Sequence, residues 1–211
     1  MWRYFNDLEE LSQQVAAFIS AQAQQVLRQK ADFHLVLAGG NTPQRTYQLL
    51  AKTAQDWSRW HFYLGDERCL PANHVERNSQ MVLRNLTAAI PAQNLHFIAS
   101  EQPPAQAATA YQQLLADVHF DWVLLGMGAD GHTASLFPHR HYPPHSVFVV
   151  HNAPKPPATR ISLSPQKLSD SEGVLFLISG QDKQPALKQW QNGAPLPVGQ
   201  IHGQQTLIWV V

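Results

Sequence analysis

The sequence predicts an α/β fold: one three-layer α/β/α domain spanning residues 1–211 around a mostly parallel, Rossmann-like sheet. Short apolar runs alternate with helical periodicity along the chain, the pattern of βα units whose crossovers set strands parallel. Three of those runs end in glycine followed by polar or charged residues, at Gly39, Gly65 and Gly126. That is how strands meet ligand-bearing loops at the carboxyl edge of an open sheet. A chain of 211 residues is long enough for one sizeable core and short for two. It has no internal repeat, low-complexity tract or interdomain linker.

From Asp7 to Lys30, Leu8, Leu11, Val15, Phe18, Ile19, Ala23, Val26 and Leu27 recur at three- and four-residue steps, which predicts one long amphipathic helix. Phe33 to Ala38 is a short apolar strand, broken by Gly39, Gly40, Asn41, Thr42 and Pro43. Helical spacing resumes from Gln44 to Ala54, and Pro43 suits its first turn. Trp60 to Leu64 is the next strand, Val75 to Leu86 a helix, Leu95 to Ile98 a strand, and Pro104 to Val118 a helix behind a Pro-Pro start. Trp122 to Leu125 is apolar without turn residues, as in a strand buried on both faces. Val147 to Val150 and Arg160 to Leu163 predict two more strands, separated by HNAPKPPAT, whose prolines forbid regular structure. A strand from Val174 to Ser179, a helix from Asp182 to Trp190 and a strand from Thr206 to Val211 complete the alternation.

Composition narrows the function. With 15 basic and 15 acidic residues there is no electrostatic footprint for nucleic acid or an anionic membrane surface, so any anion must be held locally. Cys69 is the single cysteine, which excludes an internal disulfide and a cysteine-based zinc site and fits a reducing compartment. No apolar stretch approaches the roughly 20 residues of a membrane span. The start, MWRYFNDLEELSQQ, has acids where a signal peptide would be apolar, so the expectation is a soluble cytoplasmic protein.

The chemistry concentrates in Asp121 to Pro138, DWVLLGMGADGHTASLFP. Gly126, Gly128 and Gly131 follow the apolar run closely, as a backbone requires when it must turn with positive φ and approach a ligand. Asp130 and His132 flank the last of them. An imidazole with a pKa of about 6.5 is largely neutral near pH 7 and can accept a proton. The same residues would also make an ordinary hydrogen-bonded turn, and spacing alone does not choose. The turn at Gly39 to Pro43 reads either as an anion site at a helix start or as a plain βα turn, and Asp66 either as a functional carboxylate or as a loop anchor. His139, His141 and His145 in HRHYPPH suggest a metal cluster, but the prolines make a surface loop with no nearby carboxylate. No metal ligand is assigned.

Five motifs in order, LAGGNTP (Leu37 to Pro43), GDERCLP (Gly65 to Pro71) with Asn78 behind it, GMGADGHTASLFP (Gly126 to Pro138), KPPATRISLS (Lys155 to Ser164) and ISGQDK (Ile178 to Lys183), resemble those of the 6-phosphogluconolactonases. This is one branch of a superfamily that also holds the glucosamine-6-phosphate deaminases. The resemblance covers nearly the whole chain. It implies hydrolysis of a phosphorylated sugar lactone, a step of the oxidative pentose phosphate pathway, by a monomer or weak homodimer needing neither metal nor cofactor. His132 is then the base, Asp130 its orienting partner, and Asp66 a positioner of water or sugar hydroxyls. Gly39, Gly40, Asn41 and Thr42 are the expected phosphate donors, with Arg68, Lys155, Arg160 and Lys183 as cations. The chain departs from the family at Asn41, where a serine is usual, and at His139, where a glycine usually follows LFP. Two rivals remain: the deaminases, which carry a relay glutamate where Phe137 stands, and a sugar-phosphate binding module, which would have lost the base.

Overall fold

The computed structural model describes Met1–Val211. A three-residue strand, β1 (Trp2–Tyr4), precedes helix α1 (Leu8–Leu27). Asp7 starts that helix: its carboxylate accepts the Glu10 N–H at 2.8 Å, satisfying one of the free donors of the first turn. Then come β2 (Phe33–Leu37), α2 (Gln44–Leu50), β3 (Trp60–Leu64), β4 (Asp66–Arg68), α3 (Asn78–Asn85), β5 (Leu95–His96), α4 (Pro104–Leu114) and β6 (Phe120–Gly126). The chain continues through β7 (Val147–Val150), β8 (Arg160–Leu163), α5 (Pro165–Ser169), β9 (Ser171–Ile178), α6 (Gln184–Gln191) and β10 (Gln205–Val210).

Seven strands form one sheet in the order β1-β10-β9-β6-β2-β3-β5, with every neighbouring pair parallel. β6 lies at its centre, and Phe120 to Leu125 are all buried, which is why this stretch reads as an unbroken apolar run. Strands β4, β8 and β7 form a second, antiparallel sheet. The main sheet is therefore the expected one, but Val147–Val150 and Arg160–Leu163 do not belong to it. Gly65 lets the chain leave β3 and run on as β4, which pairs Asp66 with Ser162 and Arg68 with Arg160.

Helix boundaries also move: α1 ends at Leu27 instead of Lys30 and α4 at Leu114 instead of Val118. α2 stops at Leu50 instead of Ala54. α3 begins at Asn78 instead of Val75, because the buried Glu67 carboxylate accepts the N–H groups of Asn78 and Ser79 at 2.7 and 2.8 Å and fixes the helix start there. The result for function is geometric. The carboxyl ends of β2, β3 and β6 lie side by side, and β4 and β8 wall the space beyond them.

Candidate active site

A cleft of about 390 Å³ opens at those strand ends, lined by Gly39 to Pro43 after β2, Gly65, Asp66 and Arg68 after β3, Gly126 to Gly128 and His132 to Ala134 after β6, and by Asn78, Arg160, Ser179 and Lys183. The turn after β6 is tied tightly: Gly128 N–H donates to His132 O at 2.8 Å, and Gly131 N–H donates to Gly128 O at 3.0 Å. Gly131 has φ +79, the left-handed region that favours glycine. At Gly128 the reason is space. A Cβ there would lie 2.0 Å from the His132 ring, so the imidazole lies directly against the backbone.

His132 is held on both sides. Its Nδ1 meets Asp130 Oδ1 in a short hydrogen bond, and its ring lies 4.9 Å, centroid to centroid, from that of Phe137. An ionised carboxylate can only accept, so Nδ1 carries the proton and Nε2 is left with the lone pair. Burial lowers the His132 pKa from its ordinary 6.5, and the opposing pull of Asp130 does not cancel it. For Asp130 burial works the other way, raising the pKa, but the hydrogen bonds from His132 outweigh it and the net shift is downward. The pair therefore rests as carboxylate and neutral imidazole.

Asp66 is buried in the cleft wall. Asn78 Nδ2 donates to its Oδ1 at 2.9 Å, Ser135 Oγ donates to its Oδ2 at 2.5 Å, and Arg160 Nη1 stands 3.9 Å away. Asp66 is thus anchored by its neighbours and also lines the cleft. The Arg160 guanidinium is itself buried, with donors committed to the carbonyls of Lys155, Pro156 and Pro157. Burial lowers its pKa, against the attraction of Asp66.

The other expected cations divide. Arg68 lines the cleft, with Nη1 on the Glu76 carbonyl. Lys183 lines it too, paired with Asp182 at 2.9 Å. Lys155 is exposed and is not among the lining residues, although its charge helps to lower the His132 pKa. Gly39, Gly40, Asn41 and Thr42 all line the cleft, and Thr42 Oγ1 lies 2.9 Å from Ser179 Oγ. The Asn41 side chain accepts from Gln44 Nε2 at 3.0 Å. His139 adopts φ +60, the conformation for which glycine is the ordinary choice. No three His, Cys, Asp or Glu side chains gather as a metal site, and His139, His141 and His145 are exposed. Ser135 and Ser179 lie within two of the sequence motifs but are not among the expected site residues, since a serine in a turn is commonplace.

A family model described as glucosamine-6-phosphate isomerases/6-phosphogluconolactonase matches residues 6–209. The chain belongs to this family. Within the family its curated relatives include the 6-phosphogluconolactonase of Thermotoga maritima, 33% identical over 198 residues that cover 92% of this chain and 90% of that protein. That of Haemophilus influenzae is 33% identical over 183 residues, covering 80% and 79%. The crystal structure of the Thermotoga maritima 6-phosphogluconolactonase superposes with a TM-score of 0.93 at 31% identity, covering 100% of this chain and 98% of that one. A monomeric glucosamine-6-phosphate deaminase shares the fold alone, at TM-score 0.85 and 22% identity. The parallel seven-stranded sheet and its helices match the α/β fold of the Thermotoga maritima structure.

Proposed function

We propose that the protein hydrolyses 6-phospho-D-glucono-1,5-lactone to 6-phospho-D-gluconate, as a cytoplasmic monomer or weak homodimer acting on a small-molecule substrate. One observation carries the chemistry: an imidazole whose Nδ1 is fixed by Asp130, whose pKa is lowered by burial, and which borders a cleft shared with Arg68, Arg160 and Lys183. A lactone carbonyl is already activated toward water, so a positioned base and a grip on the substrate suffice. His132 Nε2 takes a proton from water as its oxygen bonds to the lactone carbonyl carbon. The tetrahedral intermediate then collapses, the bond from that carbon to the ring oxygen breaks, and the imidazolium returns the proton to the departing oxygen. Asp130 holds the ring through both steps and stabilises its charged form.

The phosphate falls to the turn Gly39 to Thr42 with Arg68 and Lys183, charge-assisted donors being worth roughly 1.5–3 kcal/mol each. Phe137, packed against His132, has no group to relay protons, which argues against the deaminase reaction. No helix is long and apolar enough to cross a membrane. The test is disappearance of the phosphorylated lactone, corrected for spontaneous hydrolysis, with glucosamine 6-phosphate as control. Rapid lactone loss without ammonia release is expected; ammonia release would reassign the chain to the other branch.

A further inference from the structure

We infer that Ser135 is a positioning residue for this reaction, acting through Asp66 to hold that carboxylate fixed beside the cleft. The inference rests on the lactone-hydrolysis reading. Ser135 is fully buried, so its hydroxyl has no water to turn to. Its backbone N–H is held by Ser162 Oγ at 3.3 Å, and its own Oγ donates to Asp66 Oδ2 at 2.5 Å. The other carboxylate oxygen takes Asn78 Nδ2, which also donates to the Asp66 carbonyl at 2.8 Å. Asp66 thus receives one side-chain donor on each oxygen, from two elements far apart in sequence.

This arrangement decides what Asp66 can do. Each oxygen already holds a side-chain donor, so Asp66 is less free than His132 Nε2 to meet a water molecule and is a poor rival to it as general base. The charged and titratable groups around it are Arg160 on β8, His132 on the turn after β6, and its neighbours Glu67 and Arg68 on β4. Glu67 is occupied elsewhere, accepting the N–H groups of Asn78 and Ser79. Arg160 Nη1, at 3.9 Å, is too far for a hydrogen bond, whereas Nε and Nη2 are engaged by loop carbonyls. The Asp66 charge also acts on His132, favouring its protonated form. A carboxylate fixed here stabilises the imidazolium that forms as water attacks, and it keeps Arg160 beside the substrate. Without the Ser135 hydroxyl, one oxygen of a buried anion loses its donor. The carboxylate is then free to swing toward Arg160.

The test compares Ser135→Ala, Ser135→Cys and Ser135→Thr with the wild type in kcat, KM, the pH profile of kcat and thermal melting. Losing a hydrogen bond to a charged group predicts a fall in kcat of roughly ten- to a hundredfold for Ser135→Ala. KM should move little, because the phosphate is held by other residues. The acid limb should shift to lower pH, because an Asp66 charge that is no longer fixed beside the cleft favours the protonated form of His132 less. Ser135→Thr, which keeps the hydroxyl, should restore both kcat and the limb. In the Asp66→Asn background Ser135→Ala should cost almost nothing more.

A folded Ser135→Ala enzyme with wild-type kcat and acid limb would overturn the inference, as would losses that add in full to those of Asp66→Asn. If the alanine variant does not fold, the cysteine variant decides: a weaker donor of similar size must give an intermediate kcat and limb, and wild-type values would refute the role. A wild type inactive on the lactone would instead sink the functional reading itself.

Discussion

At the scale of single residues the reaction depends on whether His132 is a base or merely a well-packed ring. Its position is set by the backbone turn and by the space left at Gly128, so replacing it should leave the fold intact. His132→Ala is expected to lose about 10²–10⁴ in kcat while still binding 6-phosphogluconate by calorimetry, and His132→Asn should be nearly as inactive. The sign of the pH dependence follows from the lowered pKa. Only the neutral ring accepts water's proton, so activity is full above the ordinary value of 6.5 and is lost as pH falls through the lower value in the folded enzyme. The second ionisation of a phosphate, near pH 6, overlaps that limb. Unphosphorylated gluconolactone is therefore the cleaner probe, and a product-binding His132→Ala enzyme with near-normal kcat would displace His132 from the centre of the mechanism.

At the scale of elements, neighbouring strands bring together side chains whose closeness no local pattern announces. His34 on β2, His61 on β3 and His96 on β5 lie across one face, near Tyr63, Asp32, Asp121 and Lys30. His34 Nδ1 is 2.9 Å from Tyr63 Oη, and His61 Nδ1 is 2.9 Å from His96 Nε2. The last two rings are within 9° of parallel with centroids 5.2 Å apart, a separation that leaves one ring radius on each side of the hydrogen bond. They therefore meet edge to edge and share one proton. Burial lowers the pKa of His34, against the pull of Asp121, and burial with the nearby imidazoles lowers that of His96. Both groups stay neutral in the folded protein where the unfolded chain would protonate them. Their stabilising contribution is thus present above pH 6.5 and is lost as pH falls through the folded values. The urea midpoint should drop between pH 8 and pH 5, and less so in a His34→Gln, His96→Gln double variant; an equal drop in both proteins would clear these residues of the effect. The same contrast explains what the sequence made legible. Strands buried on both faces, such as β6, and the periodicity of α1 are local properties and could be read directly. β1 and β4, three residues each, exist because of partners at Ile208 to Val210 and Arg160 to Ser162, and nothing local marks them. Asp130 and His132 were legible because they sit in one turn, whereas Ser135 matters through Asp66, 69 residues away.

For the molecule as a whole the decisive fact is balance: 15 basic and 15 acidic residues provide no long-range field, so affinity for an anion must come from a few charges placed at the cleft. The geometry sorts the four sequence candidates into different roles. Arg68 and Lys183 line the cleft and can meet a phosphate directly. Arg160 is buried with carbonyls of Lys155, Pro156 and Pro157 on its guanidinium, so removing it leaves those acceptors unpaired and loosens the wall. Lys155 stands outside the lining and acts at longer range. Arg68→Ala and Lys183→Ala are therefore expected to raise KM for the phosphorylated lactone about tenfold or more each, the worth of one charge-assisted hydrogen bond, with little effect on unphosphorylated gluconolactone. Arg160→Ala should impair both substrates and lower the melting temperature. Lys155→Ala should have the smallest effect, and one that salt screens, since an exposed charge acting across solvent weakens within a Debye length of about 8 Å at physiological ionic strength. Steady-state kinetics on the two lactones at low and high salt separates these outcomes. If Arg68→Ala and Lys183→Ala harmed both substrates equally, the phosphate would have to lie elsewhere, and the orientation of the sugar against His132 would have to be redrawn from that position.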